Sequence, residues 1–290
     1  MNQFAYVNGA FVLEAYANVS IFDRGFLFGD GVYEVTPVID GRLVDRTSHL
    51  ERLARSLREL QIEPPVSMDT IDSIQQQLVE LNRIDEGRVY MQITRGPAER
   101  DFAFPKHPKP SFIMFGRQCA VLDTPAARNG IRVTTVEDHR WARRDIKTVM
   151  LLPASLALEQ ARARGFDDAW LMSNGYITEG TSNNAFIVRD RTIYTRSLSS
   201  SILAGCTRRA VLRLAREVGL TVVERPFTPA MAYSADEAFV TSASALVTPV
   251  VQIDDSVLGD GKPGALTRRL RRIYIDTLKH ENQSAAPLVA

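Results

Sequence analysis

Apolar residues recur along this chain in two periods, and the switches between them mark out its elements. Gln3–Val7 and Ala10–Glu14 read as two strands joined at Asn8-Gly9, a pair that favours the tight turn of a hairpin. Asn18–Phe22 is expected to form another short strand. Asp23–Gly31 carries Gly25, Gly29 and Gly31, which suits a sharply bending loop entering the strand Tyr33–Ile39. That strand turns at Asp40-Gly41 and returns as Arg42–Arg46. Ser48 and Glu51 have the spacing of a capping box, and Leu50, Leu53, Leu57 and Leu60 then share one helical face. After Pro64 and Pro65 a second amphipathic helix is built on Ile71, Ile74, Leu78 and Leu81. Arg88–Arg95 alternates like a strand, with Tyr90 on one face. Gly96–Pro110 holds four prolines and is expected to be irregular, and Phe112–Gly116 reads as a strand buried on both sides. Hairpins mixed with two helices argue for a small α+β domain over residues 1–121.

Leu122–Gly130 gathers Pro, Gly, Asn and small residues and reads as a connector (122–130) to a second domain, 131–290. There Ile131–Val136 is a strand, followed by the stretch Arg143–Gly165, whose second part is a helix rich in Ala and Leu that stops at Gly165. Ala169–Met172 and Tyr176–Thr178 flank a Ser173-Asn174-Gly175 turn. Asn184–Val188 and Thr192–Thr195 are short strands, and a helix opens near Cys206 and ends at Gly219. Thr221–Arg225, Glu237–Ser242 and Val250–Ile253 complete a mostly β second half, with a last helix from about Gly264 to Leu278 and a loose tail over Glu281–Ala290.

Composition narrows the classes. At 290 residues, two cores can be buried, and 45% hydrophobic with 24% charged residues is ordinary for a soluble globular protein. A net charge of +1 points to neither nucleic acid nor a membrane surface, and the arginines of Arg268–Arg272 read as the wet face of the last helix. No apolar run reaches membrane-spanning length, and the start lacks a basic segment followed by an apolar one, so no signal peptide is expected. Cys119 and Cys206 lie outside any CxxC pattern, which suits reduced thiols and a cytoplasmic address. His49, His107, His139 and His280 are too scattered for a zinc site.

Candidate chemistry centres on Lys147, followed by the apolar run Val149–Leu152. If those neighbours belong to a core, the lysine is partly desolvated, loses its proton more readily, and suits Schiff-base chemistry on a carbonyl. Glu179 ends a strand just before Gly180–Asn184, a run of small hydroxyl and amide residues. Gly205-Cys206-Thr207 offers backbone N–H groups at a helix start: an anion site suited to phosphate, or an ordinary N-cap by Thr207. Arg52 is either a bidentate phosphate partner or a surface arginine. Ser242 and Ser244 are turn residues or further anion donors.

Lys147 in R-x-D-I-K, Glu179 in I-T-E-G-T-S-N-N, and D-R-G-F-L-F-G-D-G-V-Y-E-V together resemble the class IV aminotransferases, fold-type IV enzymes that use pyridoxal 5'-phosphate. The resemblance spans nearly the whole chain and leans towards the D-amino-acid branch. It implies an α+β fold of two domains, a small N-terminal one and a larger, β-barrel-like C-terminal one with helices, the cofactor lying between them in a homodimer. Lys147 would carry the cofactor as a Schiff base and shuttle the substrate's α-proton. Glu179 would pair with the pyridine nitrogen. Arg52, Cys206, Thr207, Ser242 and Ala243 would hold the phosphate, and Leu203 would pack on the ring. Tyr33, Tyr90 and Arg100 would line the substrate side, Arg100 gripping the α-carboxylate through its planar fork.

One position departs from the family pattern: Phe102 stands where a histidine follows that arginine by two residues, leaving one donor fewer and a more apolar corner. The implied activity is transfer of an amino group from a D-amino acid to 2-oxoglutarate or pyruvate. A branched-chain L-amino-acid aminotransferase, an (R)-amine transaminase and an aminodeoxychorismate lyase are same-fold alternatives, and a non-catalytic binding protein is the alternative from another class. Arg100, in R-G-P-A-E-R, stands against the branched-chain reading, and intact Lys147 and Glu179 against the non-catalytic one.

Overall fold

The computed structural model describes residues 3–284. The chain forms two compact units, Met1–Val121 with Ile146–Met150, and Leu122–Asp145 with Leu151–Ala290.

In the first unit, β1 (Phe4–Val7) and β2 (Ala10–Leu13) form a hairpin whose Asn8 and Gly9 take the positive φ of a tight turn. There follow α1 (Arg24–Phe28), β3 (Gly31–Ile39), β4 (Arg42–Leu43), α2 (Arg46–Glu59), α3 (Met68–Leu81), β5 (Gly87–Thr94) and β6 (Ser111–Gln118). The strands make one sheet in the order β2-β1-β6-β5-β3-β4. Leu53 and Leu57 of α2 and Ile71 and Leu78 of α3 pack with Val89, Met91, Ile93 and Phe112 in one core. Alternation along β3 and β5 leaves Tyr33 and Tyr90 half-buried on the opposite face.

Several expectations change here. Residues 18–22 are not a strand; Ile21 and Phe22 are exposed, with no ladder to pair them. The glycine-rich stretch holds a helical turn, α1, capped by the Asp23 carboxylate and closed by Gly29 at φ +68°. The returning strand is only β4, because α2 already starts at Arg46, after Asp45 turns the chain at φ +50°. Ser48 therefore lies inside α2 and no capping box forms; the capped helix is α3, where Ser67 Oγ accepts from Thr70 N–H at 3.1 Å. β6 alternates rather than being buried on both sides, with Phe112 and Met114 in the core and Ile113 and Phe115 half-buried.

Ile146–Met150 completes this unit. Tyr33 N–H donates to Lys147 C=O at 3.0 Å and Val149 N–H to Gly31 C=O at 3.1 Å, so the segment runs along the β3 edge. Ile146 enters the core, whereas Met150 is exposed, as are Leu151, Leu152 and Leu156 of the second unit. Beyond the half-buried Val149, the apolar run after Lys147 is thus surface, not core.

The second unit holds α4 (Pro125–Asn129), β7 (Ile131–Glu137), α5 (Leu152–Ala163), β8 (Asp168–Ser173), β9 (Tyr176–Gly180), β10 (Asn184–Arg189), β11 (Thr192–Thr195), α6 (Cys206–Glu217), β12 (Thr221–Glu224), α7 (Pro229–Tyr233), β13 (Glu237–Ser242), β14 (Leu246–Ile253), β15 (Ser256–Val257) and α8 (Ala265–Ser284). Its mixed sheet runs β12-β11-β10-β13-β14-β7-β8-β9, with β15 on β14. β9, last in that order, meets β10 across the turn 181–183, where Gly180 N–H donates to Asn183 C=O at 2.8 Å. The sheet therefore curls into an open barrel. α4, capped by Thr124, occupies the stretch expected to be a plain connector. Arg271 is not on a wet face: it is buried and donates to the carbonyls of Leu122, Ala245 and Val247. α8 runs to Ser284, taking in the first part of the expected tail; residues 285–290 lie outside the described residues. Among the described residues, no helix is long and apolar enough to cross a membrane.

Candidate active site

In the first unit the β3 edge brings Lys147 to Tyr33. The lysine Nζ stands 4.1 Å from the tyrosine ring centroid, a cation–π contact with an aromatic face instead of a carboxylate. Tyr33 stacks on Tyr90 at 5.5 Å, and Tyr90 on Phe115 at 4.8 Å. Tyr90 Oη donates to Gln92 at 2.7 Å, and burial, then the neighbouring Tyr33, push its pKa up, so it stays a neutral donor.

Arg52, on α2, does not stand alone. Its Nε and Nη2 grip both oxygens of Glu34 at 2.7 and 2.8 Å, and His49 Nδ1 lies 2.7 Å from the same carboxylate. Glu34 and His49 are fully buried. Burial alone would raise Glu34, but the charge and hydrogen bonds of Arg52, joined by His49, outweigh it and hold the carboxyl far below the usual range. The pair fixes where the Arg52 fork points.

Arg100 and Phe102 lie on the irregular loop 96–110. Both are exposed, Phe102 to 81%, and both face Phe28: the Arg100 Cζ is 5.7 Å from its ring centroid, and the two phenyl centroids are 5.7 Å apart.

In the second unit the curl of the sheet gathers the groups around Glu179 of β9. Arg140 Nη1 donates to its Oε1 at 2.8 Å, while Asn184 Nδ2 and the Leu203 N–H donate to Oε2 at 2.9 and 3.0 Å. Arg140 is fixed in turn by both oxygens of Asp138. Burial raises the Glu179 carboxyl above its usual range and Arg140 opposes the rise; a cation beside the remaining lone pairs would favour the ionised form further.

At α6 the N-cap is Gly205, with no side-chain cap, so Thr207 is not the cap, and among the described residues no side chain caps the first-turn amides of Cys206 and Thr207. A Cβ at Gly205 would run into Asn184 Oδ1, the side chain that holds Glu179 and the Leu203 carbonyl. Asn184 is paired across strands with Thr241, so their side chains share a sheet face. Thr241 Oγ1 is buried there and has no hydrogen-bond partner. Next to it, Ser242 Oγ accepts from Ala245 N–H at 3.2 Å, in a turn that Arg271 anchors from α8.

Sequence reasoning missed Arg140, Asp138, His49 and Arg271 as parts of these clusters. Nothing in the spacing of Asp138 and Arg140 marked them. Glu34 and Asn184 stood in quoted motifs, but their work as fixers of Arg52 and Glu179 shows only in three dimensions.

Comparison with known proteins bears on the whole chain. The family model for amino-transferase class IV matches residues 31–253. A D-alanine aminotransferase of Staphylococcus aureus (strain N315) is 38% identical over 92% of this chain and 94% of its own. Among solved structures, the branched-chain amino acid aminotransferase of Escherichia coli superposes with a TM-score of 0.91 at 25% identity, covering 96% of this chain and 95% of its own. The branched-chain amino acid aminotransferase of T.th., solved with pyridoxamine 5'-phosphate, gives 0.89 at 27% identity, covering 97% and 95%. On the extent and strength of those matches, this chain belongs to the class IV aminotransferases.

Proposed function

We propose that this protein is a transaminase dependent on pyridoxal 5'-phosphate that moves the amino group of a D-amino acid to 2-oxoglutarate or pyruvate. Lys147, set over Tyr33 instead of paired with an acid, is the observation that carries the chemistry. The D-alanine aminotransferase relatives support the D-branch.

The residues suit the cofactor. Uncapped amides at the start of a 12-residue helix match a phosphate, and Arg52, whose Nε and Nη2 are engaged by Glu34, would add its positive charge rather than a bidentate grip. The buried Glu179 matches a protonated ring nitrogen, and the orphaned Thr241 hydroxyl on the Asn184 face leaves a donor for a polar group. When bound, pyridoxal 5'-phosphate supplies an aldehyde and a ring able to take up the electrons released as the substrate Cα–H bond breaks. The chain's groups do the rest. Lys147 Nζ would hold the cofactor and, once freed, would take the substrate's α-proton and deliver it to the cofactor's C4′. Glu179, oriented by Arg140 and Asn184, keeps the ring nitrogen protonated. Cys206, Thr207, Ser242, Ala243 and Arg52 bind phosphate, and Leu203 backs the ring. Tyr33 and Tyr90 wall the substrate side, and Arg100 takes the α-carboxylate.

Gly205→Ala is expected to displace Asn184 and weaken cofactor binding about tenfold, the scale of losing one good hydrogen bond, read by absorbance titration of the apoenzyme.

A donor panel tests the function. D-amino acids should turn over and their L-enantiomers should not; strong turnover of branched-chain L-amino acids would favour the second reading, which the structural neighbours support. Arg100→Ala should lower kcat/KM for D-amino acids roughly 100-fold, as truncating one partner of a charged pair does. An equal loss for simple amines would remove Arg100 from carboxylate recognition.

The homodimer belongs to the same proposal. Tyr16, Ile21 and Phe26 in the first unit and Leu152 and Leu156 in the second are largely exposed, and this apolar surface supports it. Light scattering on the purified protein tests it. The two free cysteines, Cys119 and Cys206, support a reducing, cytoplasmic setting.

A further inference from the structure

The stretch D-R-G-F-L-F-G-D holds a buried charge that reaches the loop bearing Arg100. Arg24 is 3% exposed. Its Nε donates to Asp30 Oδ2 at 2.8 Å, and its Nη1 donates to the carbonyls of Asp101 and Ala103, at 2.6 and 3.3 Å, the residues just after Arg100 and on the far side of Phe102. Asp30 is shared: Arg95, at the root of the same loop, binds both its oxygens at 2.8 and 3.0 Å, and lies 3.6 Å from the Phe104 ring centroid. The floor under the loop is Phe28. Arg24 meets its ring at 4.5 Å, Arg100 at 5.7 Å, and Phe102 packs against it.

Buried charge is costly unless fully paired, and here it is paired to the main chain on both sides of Phe102, directly after an exposed arginine. The loop is further tied at its start, where Arg24 N–H donates to Gly96 C=O at 3.0 Å and Ala98 N–H to Phe22 C=O at 3.1 Å, and it makes short turns within 99–103. α1 is itself fixed by Asp23, whose carboxylate caps Gly25 N–H and accepts from Thr94 Oγ1 at 3.0 Å. The motif therefore forms a rigid base under the backbone around Arg100.

We propose that Arg24 and Phe28 are positioning residues that aim the Arg100 guanidinium at the substrate carboxylate, and so set the affinity for carboxylate-bearing donors. Neither touches the reacting atoms. The proposal rests on the reading of Arg100 as the carboxylate partner. A bidentate fork tolerates little misplacement, and an error of about 1 Å costs on the order of 100-fold. Lysine at position 24 keeps the charge and reaches Asp30, but lacks the fork that spans Asp30 and two carbonyls.

The test uses the cofactor-loaded enzyme and three variants: Arg24→Lys, Phe28→Leu and Arg100→Ala. Two quantities are measured: KM and kcat for a D-amino acid, and the Kd of the unreactive monocarboxylate 3-phenylpropanoate by calorimetry. Arg24→Lys should raise KM and Kd about 10- to 100-fold with kcat little changed, Phe28→Leu should do so about threefold to tenfold, and the cofactor absorbance should not move. Arg24→Lys combined with Arg100→Ala should bind the carboxylate no more weakly than Arg100→Ala alone. The proposal is overturned if Arg100→Ala weakens the carboxylate while Arg24→Lys and Phe28→Leu leave it unchanged, or if their effects add to that of Arg100→Ala. Should Arg100→Ala itself leave Kd unchanged, the assignment of Arg100 falls, and this inference with it. If Arg24→Lys does not fold, Phe28→Leu, which leaves Arg24 and its ion pair with Asp30 in place, carries the same decision.

Discussion

Lys147→Ala is expected to cut turnover by roughly 10^4-fold or more while the protein stays folded, because a positioned acid–base group and the covalent anchor are lost together. The fold should survive because the structural duties at this position belong to the backbone: Lys147 C=O accepts from Tyr33, and its N–H approaches Ser56 Oγ at 3.4 Å. The side chain contributes one cation–π contact to an exposed face, worth about 0.5–1 kcal/mol. Circular dichroism and thermal unfolding should therefore match the parent, and the visible band of the bound cofactor should disappear after dialysis. Residual turnover within tenfold of the parent would remove the lysine from its role.

Glu34→Ala should give the largest loss of stability, about 3–5 kcal/mol in equilibrium urea unfolding. The size follows from what is left behind. Arg52 and His49 are held against a carboxylate with no exposure, and deleting it strands their polar groups in the interior. The pair as a whole is worth less than that figure; the cost lies in removing one side of it. The effect has a pH signature. The Glu34 pKa in the folded chain is depressed below its ordinary value of 4.5, so its stabilisation is present above that value and is lost as pH falls through the folded-state value. The gap between parent and variant should narrow under strong acid, as pH falls through the folded-state value of Glu34. The same variant should loosen Arg52 and weaken phosphate binding. A variant as stable as its parent at pH 7 would show that the cluster relaxes to let water in.

Legibility in the sequence followed locality. Asn8-Gly9, Asn174-Gly175 and the stops at Gly165 and Gly219 are readable because each turn is written in residues adjacent in the chain, and all four glycines take positive φ. The leucine stripe of α2 is readable for the same reason, but its start is not. Ser48 and Glu51 have the capping spacing, yet Asp45, in a left-handed conformation, begins the helix earlier. Val149–Leu152 reads as core in the sequence, yet Met150–Leu152 lie at the surface, because composition does not reveal which apolar run faces inward. Lys147 and Glu179 can be picked out by motif, whereas Arg140 cannot: its importance comes from lying 2.8 Å from a carboxylate 39 residues further on. Arg271 reads as a wet-face residue because its neighbours Arg268, Arg269 and Arg272 are charged as well. Only the fold reveals that it reaches the turn after Ser242.

The return of Ile146–Met150 to the first unit has a consequence for how the chain is made. A ribosome that has released the chain only as far as Val121 has delivered every strand of the six-stranded sheet but not its last staple. The Tyr33 amide and the Gly31 carbonyl still lack their partners, and the place of Ile146 in the core is empty. An open strand edge over a partly filled interior is sticky. The nascent N-terminal half therefore stays vulnerable until Met150 emerges from the exit tunnel, and the residue that seals it is a near neighbour of Lys147.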